Sequence, residues 1–248
     1  MGEAPPMPPL QIQLDRRRLR TVLLVLCATF SAISFSLAAI RITTGHDYVF
    51  GLVRLFSLNQ EANIPAWYSS VLLLAGACVA ALIGAAISGG HGRGWKGIAL
   101  VLGFFSLDEI ASFHERLAIP REYIGQLAPV RDNTWVFVGV VVVGALVVMF
   151  LRTVLASPPP IRRAVLLAGA VYAGGALGME ALGGLWSLGH GRVNWVYAVI
   201  GVLEEGGELV GATLFLDAGL RYLEDLGGFS VRPAGRRAVP STPVRAGD

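Results

Sequence analysis

Between residues 106 and 115 the chain reads Ser-Leu-Asp-Glu-Ile-Ala-Ser-Phe-His-Glu, which sets Asp108, Glu109, His114 and Glu115 at the end of a run that is otherwise apolar. Two later apolar segments also carry acids: Glu180 in one, and Glu204, Glu205 and Glu208 in the next. Carboxylates and imidazoles are the side chains that ligate divalent metals and move protons. Inside a bilayer each such charge costs about 2.5–3.5 kcal/mol on insertion scales, so it persists where a partner, an ion or water receives it. Acids drawn together in a low dielectric cannot all be ionised, so either some hold protons or a cation neutralises them. Carboxylates with one histidine suit Zn, Fe or Mn, whereas carboxylates with water suit Mg, Ca or Mn. The expected ligands of a divalent metal ion (Zn, Fe or Mn) are therefore Asp108, His114, Glu115, Glu180, Glu204 and Glu208. Glu109 or Glu205 would act as general base. On an ideal helix His114 points about 120° away from Asp108, so it joins the set only if the helix end bends. Di-iron bundles place Glu-x-x-His on two helices, and that spacing is missing here.

These residues need a scaffold that holds them at one depth, and composition says what kind. Of 248 residues 54% are hydrophobic and 15% charged, and the mean hydropathy is +0.62. A soluble domain of this size needs far more polar surface, so an all-α, polytopic integral membrane bundle of about six transmembrane helices is expected. The net charge of +3 comes from arginines at segment ends. It reads as a topology signal and not as a nucleic-acid surface. Cys27 and Cys78 fall inside apolar runs and form no zinc motif or disulfide framework.

Residues 1–20 read as a disordered, proline-rich and basic tail, 21–222 as the six-helix domain, and 223–248 as a disordered cytoplasmic tail. Spans are expected at 21–40, 64–88, 97–115, 135–155, 164–186 and 193–216. Residues 48–56 are apolar but too short to cross, so they lie along the interface or tuck into the bundle mouth. Pro65 suits a first helical turn, and Trp67 and Tyr68 suit the headgroup level. Small residues four apart, Gly76, Ala80 and Gly84 in one span and Ala170, Gly174 and Gly178 in another, form ridges for close helix contact. With the N-terminus inside, fourteen of the 20 basic residues fall on the inner side. Both termini are then cytoplasmic in an inner membrane.

Depth and azimuth bring the acids together. At about 1.5 Å per residue, Asp108, Glu180, Glu204 and Glu208 all lie between mid-membrane and the outer leaflet. At about 100° per residue, Asp108, Ser112 and Glu115 share one face of their helix, and Glu204, Glu205 and Glu208 share a face with Gly201 and Gly211.

The stretches Glu61-Ala62-Asn63-Ile64-Pro65-Ala66-Trp67-Tyr68-Ser69-Ser70, Ser106-Leu107-Asp108-Glu109 with His114-Glu115, and Leu203-Glu204-Glu205-Gly206-Gly207-Glu208 resemble the marks of an uncharacterised family of bacterial multi-pass membrane proteins. That resemblance covers spans two to six and implies no activity. The Asp-Glu and Ser-Phe-His elements are faintly similar to those of alkaline ceramidases and their relatives, metal-dependent membrane hydrolases. In those enzymes a later histidine pair completes a zinc site, where span six here has glutamates. The expected function is a metal-dependent hydrolase or oxidoreductase acting on a lipid-like substrate within the bilayer. The alternatives are a cation or proton-coupled transporter, or a structural membrane subunit whose acids pair internally.

Overall fold

The structure, a computed structural model, describes residues 15–113 and 135–227, and all regular structure among them is helical. The helices are α1 (Arg16–Thr44), the short α2 (Leu52–Phe56), α3 (Ile64–Ala86), α4 (Gly89–Ala111), α5 (Trp135–Leu155), α6 (Pro159–His190) and α7 (Trp195–Asp225). Four of them, α1, α3, α5 from Val136, and α6, are long and apolar enough to cross a membrane. Of the acids expected in spans three and six, Asp108 and Glu109 lie on α4 and Glu204, Glu205 and Glu208 on α7, the other two long helices, of 23 and 31 residues.

Local chemistry sets the boundaries. The Asp15 side chain accepts from the Arg18 N–H at 3.1 Å, so α1 opens at Arg16. That is five residues before the span expected at 21. Arg16 and Arg20 are thereby helical and not part of a tail, and they pair across to α7. Arg16 meets Asp217 at 2.6 Å and Glu224 at 3.2 Å, and Arg20 meets Asp217 at 3.2 Å. The far end of α7 likewise stays helical to Asp225. Asn63 caps α3, its side chain accepting from the Ala66 N–H at 3.0 Å, with Pro65 in the first turn as expected. Helix α2 leaves Tyr48, Phe50, Leu52 and Leu55 exposed, while Val53 and Ser57 turn toward the bundle.

The glycine-rich stretch 89–94 reads as a loop in sequence but is the first turn and a half of α4. The reversal needs only Ile87 and Ser88, with Gly89 at φ +73°. Side chains would obstruct the contacts that α4 makes next: a Cβ on Gly92 would collide with the Ile87 carbonyl, one on Gly94 with Thr153, and one on Gly97 with the Phe150 ring. The glycines are there for close packing of α4 on α3 and α5, and that packing outweighs their poor helix propensity. The expected ridge on α3 is confirmed at two positions: Gly84 faces Lys96 and Gly92 on α4, and Gly76 faces Phe215 and Leu102.

Helix α7 is the centre of the bundle, packing against α1, α3 and α6. At the end where α1 begins, the interior is dry. Leu72, Leu73, Ala80, Ile83, Trp95, Ile98, Ile161, Val165, Leu209 and Leu216 form a continuous apolar core. Cys27 sits there against the Thr213 and Tyr68 hydroxyls at 3.7 and 3.9 Å. Helix α5 is largely unburied.

The ridge expected on α6 is displaced. Gly174 and Gly178 face open space, whereas a Cβ on Gly175 would sit 2.5 Å from the Glu204 carbonyl oxygen and 3.1 Å from the Glu208 nitrogen. The cause is a wider helical turn over Gly174–Met179 that shifts the register of α6. Gly175→Ala is therefore expected to lower stability by about 1–3 kcal/mol through overpacking, and Gly178→Ala to leave it unchanged or slightly raised. Thermal unfolding of both variants in detergent reads the difference. Equal melting temperatures would contradict the register.

Candidate acidic cavity

The acid of each segment is placed by a specific local device. On α4 that device is a pair of serines one turn ahead of Asp108 and Glu109. The Ser70 hydroxyl of α3 donates to the Ser106 carbonyl at 2.8 Å, and the Ser106 hydroxyl donates to the Ser70 carbonyl at 2.8 Å. The two oxygens lie 3.0 Å apart. This reciprocal pair pins the end of α4 to α3. Helix α4 then stops: Ser112 adopts φ +51°, ψ +48°, and its N–H bonds the Asp108 carbonyl at 2.7 Å. Ser112 is thus not a helical neighbour of Asp108 as the ideal geometry required. His114 and Glu115 lie outside the described residues.

On α6 and α7 the device is glycine. The Cβ positions of Gly175, Gly207 and Gly211 all fall against the backbone of the opposing helix, Gly211 against Tyr172. Gly211 thereby admits the Tyr172 backbone, while Gly201 admits the Asn59 side chain. Helices this close bring Glu180 beside Glu204, their carboxyl groups within hydrogen-bond reach of one another. The Tyr172 hydroxyl donates to Glu208, and the Tyr172 ring stacks on Phe105 with centroids 6.3 Å apart and planes 3° from parallel. The hairpin between α6 and α7 is closed by Asn194. Its side-chain oxygen accepts from the Tyr197 N–H at 2.9 Å and the Trp186 indole at 3.0 Å, while its amide donates to the Gly191 carbonyl at 2.9 Å.

These residues surround a cavity of about 760 Å³. Asp108 and Glu109 from α4, Glu180 from α6, and Glu204, Glu205 and Glu208 from α7 all line it. A seventh acid, Glu61, enters from the loop before α3 and lies within electrostatic reach of Glu205. Sequence reasoning left Glu61 out because it sought acids inside apolar runs, although Glu61 opens a stretch already singled out. The loop is held inward by the Leu58 N–H donating to the Ser34 hydroxyl at 3.0 Å and by the Asn63 amide donating to the Ser57 carbonyl at 2.6 Å. Among the described residues lining the cavity, the basic ones are Arg41 and Arg192, and Arg41 pairs with Asp47. Also among the described residues, no three His, Cys, Asp or Glu are grouped so as to hold a metal ion.

The serine pair makes a checkable energy statement. In a Ser70→Ala, Ser106→Ala double-mutant cycle, the coupling energy is expected at about 0.6–2 kcal/mol, the range for interhelical hydrogen bonds in membrane proteins. Thermal unfolding in detergent supplies the four corners, and a coupling indistinguishable from zero would contradict the reciprocal bond.

No curated protein and no solved structure matches the chain. The family comparison does find a match, and it spans residues 18–222, which include every described residue that lines the cavity. Over that length the match is to the model described as Domain of unknown function (DUF8692), and the chain belongs to that family.

Proposed function

We propose that the chain is a six-span inner-membrane protein with both termini on the cytoplasmic side, which binds a divalent metal in this cavity and uses it on a lipid-like substrate. The observation that carries the reading is that acids from α4, α6 and α7, far apart in sequence, line one cavity. Charged residues at membrane depth mark ion or substrate sites. With α4 and α7 counted as crossings, the acids share the half of the bundle away from the arginines at the start of α1. The described donors are all oxygens, and within the set Zn, Fe and Mn such donors suit Mn best. Asp108, Glu180, Glu204 and Glu208 would hold the ion, which supplies a polarised, more acidic water. Glu205 and Glu109 stand beside it as proton acceptors. The reaction class is hydrolysis or oxidation, the two that such an ion serves.

A second reading, cation or proton-coupled transport, is supported by the carboxyl groups of Glu180 and Glu204 lying within hydrogen-bond reach of one another, the spacing at which acids can pass a proton. Metal analysis by mass spectrometry of detergent-purified protein separates the two. The first reading expects about one equivalent of metal per chain, reduced at least tenfold in Glu204→Gln and in Asp108→Asn. Metal-free protein that carries cation or proton flux in liposomes would establish the second instead. Unchanged cellular function in both neutral variants would leave the acids a structural role.

A further inference from the structure

We infer that the substrate of this cavity is a cationic amphiphile: an organic ammonium group carrying an apolar chain. The inference rests on reading the cavity as the functional site, and it adds the chemistry of the occupant. Size comes first. A volume of about 760 Å³ is that of a pocket for a whole organic molecule, since such pockets run roughly 300–1,000 Å³ and a water occupies about 30 Å³. A metal ion with its waters fills only a small part of it.

Charge comes second. Among the described residues, seven carboxyl side chains line the space alongside the guanidinium groups of Arg41 and Arg192. Acids crowded in a low dielectric are relieved by a cation, so an ammonium group is admitted where a carboxylate or phosphate headgroup would add to their repulsion.

The rest of the lining is independent of the acids and is matched to carbon. The stacked rings of Phe105 and Tyr172 border the acid face, and aromatic faces attract alkylammonium groups through their quadrupoles. On the side of α5, Val138, Val142 and Val143 form an aliphatic wall. The neighbouring Val140 and Val141 are 55% and 71% exposed on the outer surface of the same helix. An ammonium head at Glu205 and Glu208 thus has a hydrocarbon path toward α5 and the lipid beyond it.

The test is calorimetric titration of the full chain in maltoside detergent with hexyltrimethylammonium, tetramethylammonium and hexanoate. The expected result is saturable binding of about one hexyltrimethylammonium per chain, at least tenfold tighter than tetramethylammonium, with no saturable binding of hexanoate. Glu205→Gln and the wall-filling Ala176→Phe are each expected to weaken it at least fivefold. Equal affinity for tetramethylammonium, a preference for hexanoate, or no saturable binding in the wild type overturns the inference, and none of these comparisons needs a variant to fold. Metal content measured on the same preparations keeps the two ideas apart. Bound metal without ammonium binding removes the substrate class alone, ammonium binding without metal upholds it and removes the metal chemistry, and neither removes both.

Discussion

The contact on which the acidic cavity depends is the meeting of two bare backbones, α6 and α7, at Gly175, Gly207 and Gly211. A Cβ on Gly207 would stand 3.3 Å from the Gly175 Cα, and one on Gly211 would fall among the backbone atoms of Tyr172. Without side chains between them, the helices approach until their polar residues must meet. Glu180 is forced onto Glu204, and Tyr172 onto Glu208. In lipid there is no hydrophobic drive between helices beyond packing and hydrogen bonding, so small residues at the crossing set where such meetings occur.

The bundle divides along its length. One half is a dry core that α7 shares with α1, α3, α4 and α6, and it is clamped at its end by Arg16 and Arg20 on Asp217. The other half is hollow and lined by acids and aromatic rings. The division follows from energetics: carboxyl groups left in hydrocarbon are costly, so a space that admits water, protons or cations is the arrangement in which many acids coexist. The dry half holds the helices in place while the hollow half stays unfilled by side chains.

Much of this was legible in the residues. Trp135–Leu155 is the helix that its apolar run announces, and Pro65 falls in the first turn of α3 as expected. Asp108, Glu180 and Glu204 are expected to meet from helical rise and azimuth, and all three line one cavity. What could not be read were the departures from ideal helices. The Gly-rich turn at 89–94 is helical only because α3 and α5 press on it. The end of α4 at Ser112 is a left-handed residue in a stretch of good helix formers. The widened turn in α6 moves the contact from Gly174 and Gly178 to Gly175. Glu61 was overlooked for a related reason: hydropathy ranks a loop acid as solvated, and only tertiary contacts such as Leu58 to Ser34 turn the loop inward.

The widened turn also has a bearing on how this site is inherited. A turn of that kind is a helix with one residue more than its hydrogen-bond ladder needs, and removing a residue anywhere from 174 to 179 returns it to ordinary winding without breaking either flank. Because the wide turn has already absorbed the extra residue, the two flanks would keep nearly the same mutual azimuth, and the carboxyl group of Glu180 would stay on the same side of its cylinder. The widened turn is thus a local store of one residue, and a chain one residue shorter here would lose the bulge while keeping the acid on the face it has now.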